Sequence, residues 1–153
     1  MTSNLLGVIP ARGGSKGIPG KSLRLVGGVP MLLRTYRAVK AARICKRVVV
    51  STDSLEIREF CNLRGIEVLD RPKNLATDST PIVKVAKHAV LALQHGGDIA
   101  IFQPTSPLLT TETLRSVFYR WQTTHKDWLM AVTDEPHILW RDGMPIGERV
   151  NRQ

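Results

Sequence analysis

The sequence predicts an α/β fold, a doubly wound and mainly parallel sheet with helices on both faces. Three observations carry that expectation. Short aliphatic runs alternate along the chain with segments whose apolar residues recur at helical spacing. The runs are continuous rather than alternating apolar and polar, the composition of strands covered on both sides. Parallel neighbours also need a crossover connection, which the intervening helices would supply.

Leu5, Leu6, Val8 and Ile9 form the first strand, ending at Pro10 before a Gly- and Lys-rich loop. Gly27 and Gly28 break the chain, and Met31 to Ala42 then places Leu32, Leu33, Tyr36 and Val39 on one helical face. Arg47 to Thr52 holds three consecutive valines and reads as the second strand. Asp53 or Ser54 can cap the next helix, whose inner stripe is Ile57, Phe60 and Cys61 and whose stop is Gly65. Glu67 to Asp70 is the expected third strand. Thr80 and Pro81 look like an N-cap and first helical residue, with Ile82, Ala86, Ala89, Val90 and Leu93 facing inward before Gly96 and Gly97. Ile99 to Phe102 is a fourth strand, and the prolines of Gln103-Pro104-Thr105-Ser106-Pro107 stop both periodic structures. Leu114, Val117, Phe118 and Trp121 mark a further helix, and Trp128 to Val132 a fifth strand. The expected division is an α/β domain over 1–133 and an irregular tail over 134–153.

At 153 residues, with 42% hydrophobic and 23% charged residues, the chain has the proportions of one ordinary globular domain, which excludes a disordered or fibrous class. No apolar stretch reaches the roughly 20 residues of a membrane span, and Leu5 to Pro10 lacks the basic flank of a secretory signal, so a cytoplasmic, membrane-free protein is expected. Cys45 and Cys61 have no CxxC partner and no His at metal spacing, which points to two reduced thiols. The formal net charge of +9 raises the question of nucleic acid, and its placement answers it. Ten Lys and Arg and no Asp or Glu lie between Met1 and Thr52, whereas the remainder is nearly balanced. Those cations are spread over a loop and a helix without interleaved aromatics, so a nucleic-acid partner is not expected.

In open α/β sheets the ligand sits beyond the carboxyl ends of the strands. The loop after the first strand, Ala11 to Ser22, combines four glycines with Arg12, Lys16 and Lys21. Glycine lets backbone N–H groups approach phosphate oxygens, and the cations offset the charge gathered there. The spacing fits neither GxGxxG nor GxxxxGKS, which disfavours a dinucleotide site and a Walker loop.

IPARGGSKGIPGK at the start, STD at Ser51 to Asp53, DRP followed by LATDST, and QPTSPL together resemble the acylneuraminate cytidylyltransferases, which make CMP-sialic acids. The resemblance runs from Leu6 to Gln153 with the motifs in the family's order. It implies a Rossmann-like sheet of the nucleotide-diphospho-sugar transferase type. It also implies transfer of CMP from CTP to the anomeric hydroxyl of a nine-carbon 2-keto sugar acid, with pyrophosphate leaving.

By that resemblance Arg12, Ser15, Lys16 and Lys21 contact the triphosphate, Ser22 and Arg71 the nucleotide, and Thr80 and Gln103 line the nucleotide and sugar pockets. Arg12, Lys21 and Arg152 match the catalytic positions. The residues alone leave alternatives open: Thr80 as a helix cap, Arg71 as an exposed loop cation, Gln103 as a turn residue, Asp53 as a cap or loop support. Two departures stand out, Ser22 where the family has Asn, and Leu109 where Arg commonly follows QPTSPL. A serine hydroxyl makes fewer and shorter-reaching hydrogen bonds than a carboxamide. The GGSKG loop argues against the branch that uses Kdo. The resemblance implies Mg²⁺ as cofactor, with ligands mostly beyond Gln153, and a homodimer for a full-length enzyme. A nucleotide-binding module without turnover is the alternative expectation.

Overall fold

The computed structural model describes residues 4–15, 17–124 and 126–131, together with the backbone of a short strand pair, Trp140–Arg141 and Met144–Pro145. In chain order the elements are β1 (Leu5–Pro10), β2 (Leu25–Val26), β3 (Val29–Pro30), α1 (Met31–Ala42), β4 (Arg47–Thr52), α2 (Leu55–Asn62), β5 (Val68–Asp70), α3 (Ile82–Ala92), β6 (Asp98–Ile101), α4 (Thr111–Thr124), β7 (Trp140–Arg141) and β8 (Met144–Pro145). Four strands make a parallel sheet in the order β5-β4-β1-β6. The chain steps outward from β1 to β4 and β5, then returns to the other side of β1 with β6. That reversal puts the crevice of a doubly wound sheet beyond the ends of β1 and β6.

The valine run explains how the sheet is covered. Val48 and Val50 of β4 point with Ile9 to one face, where Leu32 and Val39 of α1, Ile57 and Cys61 of α2 and Leu114 of α4 close the larger core. Val49 points with Leu6 and Val8 to the other face, where Ala89 of α3 and Leu69 of β5 close a smaller one. Successive strand residues alternate faces, so a continuous aliphatic run feeds two cores at once. Ser54 caps α2 as expected, its Oγ accepting from Ile57 N at 3.4 Å.

Four details differ from the sequence expectation. Gly27 and Gly28, expected only to break the chain, turn a two-residue hairpin between β2 and β3 with φ of 57° and 75°. Positive φ at both central positions is the turn that matches strand twist, and glycine adopts it without steric cost. Pro81, not Thr80, precedes α3, with an extended ψ of 141° and no side-chain cap, and Val85 rather than Ile82 is buried. Trp128 to Ala131 form no strand, and Trp128 and Met130 are exposed. Val132 lies outside the described residues. The stretch expected to be wholly irregular contains the β7–β8 pair.

No helix among the described residues is long and apolar enough to cross a membrane. Burial pushes the Cys45 thiol up to about 12 and the Cys61 thiol up to about 11, from an ordinary value of 9.0. A raised pKa means that the folded state keeps a proton which the unfolded chain gives up. The contribution to stability is therefore complete below pH 9.0 and lost as pH rises through about 11 and then about 12. Urea unfolding should show lower stability at about pH 10 than at about pH 8, and the C45S/C61S double variant should flatten that slope.

Candidate functional site

Pro10 ends β1 at the crevice, and the loop that follows is fastened to the end of β4. Ala11 N donates to Ser51 O at 2.9 Å, and Gly13 N donates to Asp53 Oδ1 at 3.1 Å. Asp53 is thus a loop support, one of the two roles its sequence position allowed. A side chain at Gly13 would place its Cβ 2.9 Å from Ser54 Cβ, so the loop can lie this close to the start of α2 only with glycine there. Lys21 to Leu23 form a 3-10 turn, held by Leu23 N to Gly20 O at 2.9 Å, which leaves Ser22 buried and Lys21 half-buried. Arg34 of α1 then ties the β2–β3 hairpin to the segment after β6, donating to Val26 O at 2.9 Å and to Pro107 O at 3.1 Å.

Two adjoining cavities open at this end of the sheet. The first, about 240 Å³, is lined by Arg12, Ser15, Lys21 and Ser22 from the first loop and by Gln103 to Thr105 from the segment after β6. The second, about 180 Å³, takes Arg71 from the end of β5, Thr77, Asp78 and Thr80 from the next loop, and Ile82 and Val85 from α3. Pro10, Arg12 and Gln103 line both. Seven positions expected from the sequence, Arg12, Ser15, Lys21, Ser22, Arg71, Thr80 and Gln103, therefore converge on one connected cleft. Lys16 and Arg152 lie outside the described residues.

The alternatives for Arg71 and Thr80 are corrected. Arg71 is no exposed loop cation: it is 7% exposed, its Nε donates to Ser51 Oγ at 3.2 Å and its Nη2 donates to Ser51 O. Burial holds its pKa below the ordinary guanidinium value, the nearby Asp53 carboxylate opposes that shift and the Arg12 cation adds to it. Thr80 caps no helix; its Oγ1 lies 2.7 Å from Thr77 Oγ1 within the loop. Leu109 replaces a charged position by packing against the larger core, so the departure adds apolar contact and leaves one cation fewer beside the turn.

The sequence reading missed Asp78, which forms an ion pair with Arg12 across the mouth of the second cavity. The available signal was an acid in the LATDST motif facing a segment that holds none. Part of the remaining positive charge is engaged in the fold. Arg47 pairs with Glu67, Arg58 pairs with Asp70 at 2.6 Å, and Arg115 donates to the terminal carbonyls of α1. Among the described residues no group of three or more His, Cys, Asp or Glu comes together as a metal site.

A family model described as Cytidylyltransferase matches residues 6–134. The CMP-N,N'-diacetyllegionaminic acid synthase of Legionella pneumophila is 36% identical over 116 residues, 72% of this chain and 50% of that protein. The 3-deoxy-manno-octulosonate cytidylyltransferase of Acidobacterium capsulatum is 32% identical over 136 residues, 88% of this chain and 48% of that protein. A solved CMP:2-keto-3-deoxy-manno-octonic acid synthetase complexed with CTP shares the fold with a TM-score of 0.66 at 22% identity, covering 79% of this chain and 48% of its own. The chain thus spans about half the length of each. Relatives on both sugar branches match at similar identity, so the GGSKG loop does not by itself exclude the Kdo branch.

Proposed function

Because the chain belongs to the cytidylyltransferase family, we propose that its cleft binds CTP and serves the transfer of CMP to the anomeric hydroxyl of a nine-carbon 2-keto sugar acid, releasing pyrophosphate. The observation that carries this reading is the convergence of Arg12, Lys21 and Arg71 on one cleft at the switch point of the sheet. Arg12 and Lys21 face the triphosphate in the first cavity, with Ser15 and Ser22 as hydrogen-bonding neighbours. Arg71 and Thr80 face the nucleoside in the second, and Gln103, lining both, borders the acceptor sugar.

The chemistry asked of these residues is positioning and charge stabilisation. The acceptor hydroxyl attacks the α-phosphorus, the bond to the bridging oxygen breaks, and negative charge grows on departing pyrophosphate. Fixed cations beside those oxygens stabilise that charge more than they stabilise the ground state. Mg²⁺ needs several oxygen ligands, and the described residues do not assemble them: Asp53 accepts from Gly13 N and Asp78 pairs with Arg12.

The choice of a nine-carbon acid over an eight-carbon one rests on the GGSKG resemblance alone, since relatives on both sugar branches match at similar identity. Pyrophosphate release measured with CTP, Mg²⁺ and a panel containing sialic, legionaminic and pseudaminic acids and Kdo tests the reading. Turnover confined to Kdo overturns the sugar class, and absence of CTP binding overturns the family function for this chain. A second reading, a module that binds CTP without turnover, is favoured by the described residues bringing no group of three or more His, Cys, Asp or Glu together, and is recognised by calorimetric CTP binding with no pyrophosphate formed.

Asp78 adds a further expectation. The triphosphate must take Arg12 from a carboxylate that already holds it, so D78N should tighten CTP binding by about two- to fivefold at low salt, the range set by an exposed ion pair. The gain should shrink as salt is raised.

A further inference from the structure

We propose that Ser51 is a positioning residue for the nucleotide, clamping one edge of the Arg71 guanidinium so that its other edge is presented to the cleft. The inference rests on the CTP reading above.

Arginine carries five N–H donors in a planar fork, and the side engaged by one partner decides which side remains for another. Here Nε and Nη2 lie on a single residue: Nε donates to Ser51 Oγ at 3.2 Å and Nη2 donates to Ser51 O. This two-point grip fixes the guanidinium plane. Its free edge carries Nη1 and the second hydrogen of Nη2, a pair suited to a carbonyl or other oxygen acceptor of the nucleoside. The backbone is fixed as well, because Arg71 N donates to Thr52 O at 2.8 Å.

Ser51 is itself fully buried at the end of β4 and lines neither cavity, so any effect on a ligand must pass through another residue. Its carbonyl also accepts from Ala11 N at 2.9 Å, at the root of the phosphate-facing loop. That bond and the one from Arg71 Nη2 use the backbone carbonyl and survive substitution of the side chain. The hydroxyl supplies the second point of the grip on Arg71, at Nε. Removing it should therefore impair the nucleoside cavity and leave the loop in place.

The test is S51A with two probes, CTP and inorganic triphosphate, titrated by calorimetry beside a thermal melt. CTP affinity is expected to fall about tenfold, the effect of one hydrogen bond to a charged group, while triphosphate affinity stays within about twofold and the melting temperature within a few degrees. Equal losses for both probes would mean that Ser51 merely supports the sheet, and unchanged CTP affinity would mean that Arg71 is oriented without it. Either result overturns the inference while sparing the CTP reading. Failure of the unsubstituted protein to bind CTP overturns that reading, and the inference with it.

Discussion

Replacing Arg12 and Lys21 together with alanine is expected to weaken CTP binding by at least about a hundredfold while leaving the fold intact. A hydrogen bond involving a charged group contributes about 1.5–3 kcal/mol net, and two of them correspond to roughly a hundredfold or more in affinity. Coulomb attraction alone would give about 4 kcal/mol per contact at 4 Å in a medium of effective dielectric 20, before desolvation is subtracted, so the lower figure is conservative. Both side chains line the first cavity, and each is only half-buried. The fold loses little by their removal. Arg12 gives up an exposed pair with Asp78, worth less than about 1 kcal/mol. Calorimetric titration at constant low salt measures the effect, and unchanged CTP uptake by a double variant with wild-type melting behaviour would remove the basis of the proposed function.

The parts of this site that could be read from sequence are those in which neighbouring residues decide the outcome. The bounds of α1 and β4 match the expectation because apolar residues recur at helical spacing along the helix and three valines fill the strand. The glycine-rich loop was legible for the same reason, since four glycines and three cations follow one another directly after β1. Asp78 was not legible, because its pairing with Arg12 joins positions 66 apart. The role of Ser51 was hidden in the same way: it sits within a motif that the resemblance quoted, but its grip on Arg71 spans 20 positions and exists only once β5 lies beside β4. The β2–β3 hairpin was missed because two-residue strands are too short to show periodicity. Trp128 to Ala131 illustrates the opposite error. Apolar, β-prone composition makes a strand only where an adjacent edge offers hydrogen bonds, and sequence does not say whether it does.

Substituting Ile9 with alanine should lower stability by about 3 kcal/mol and the melting temperature by roughly 10 °C, without altering CTP affinity per folded molecule. Ile9 is fully buried in β1, between the parallel neighbours β4 and β6, and packs in the larger core with residues of α1, α2 and α4. Its backbone is held in register opposite Val50, so the strand cannot move inward to fill the space left by the missing atoms. The lost contacts and the residual cavity then both count against the folded state. Against a typical total of about 5–15 kcal/mol, that loss is large enough to read from the urea midpoint with an unchanged slope. Pro10 and Arg12 line the cleft while Ile9 and Ala11 face the core, and the loop is fastened by bonds to Ser51 and Asp53 that the substitution does not touch. Stability and nucleotide affinity should therefore separate at this position. A parallel loss of both would mean that the loop takes its shape from the core beneath it instead of from the end of β4.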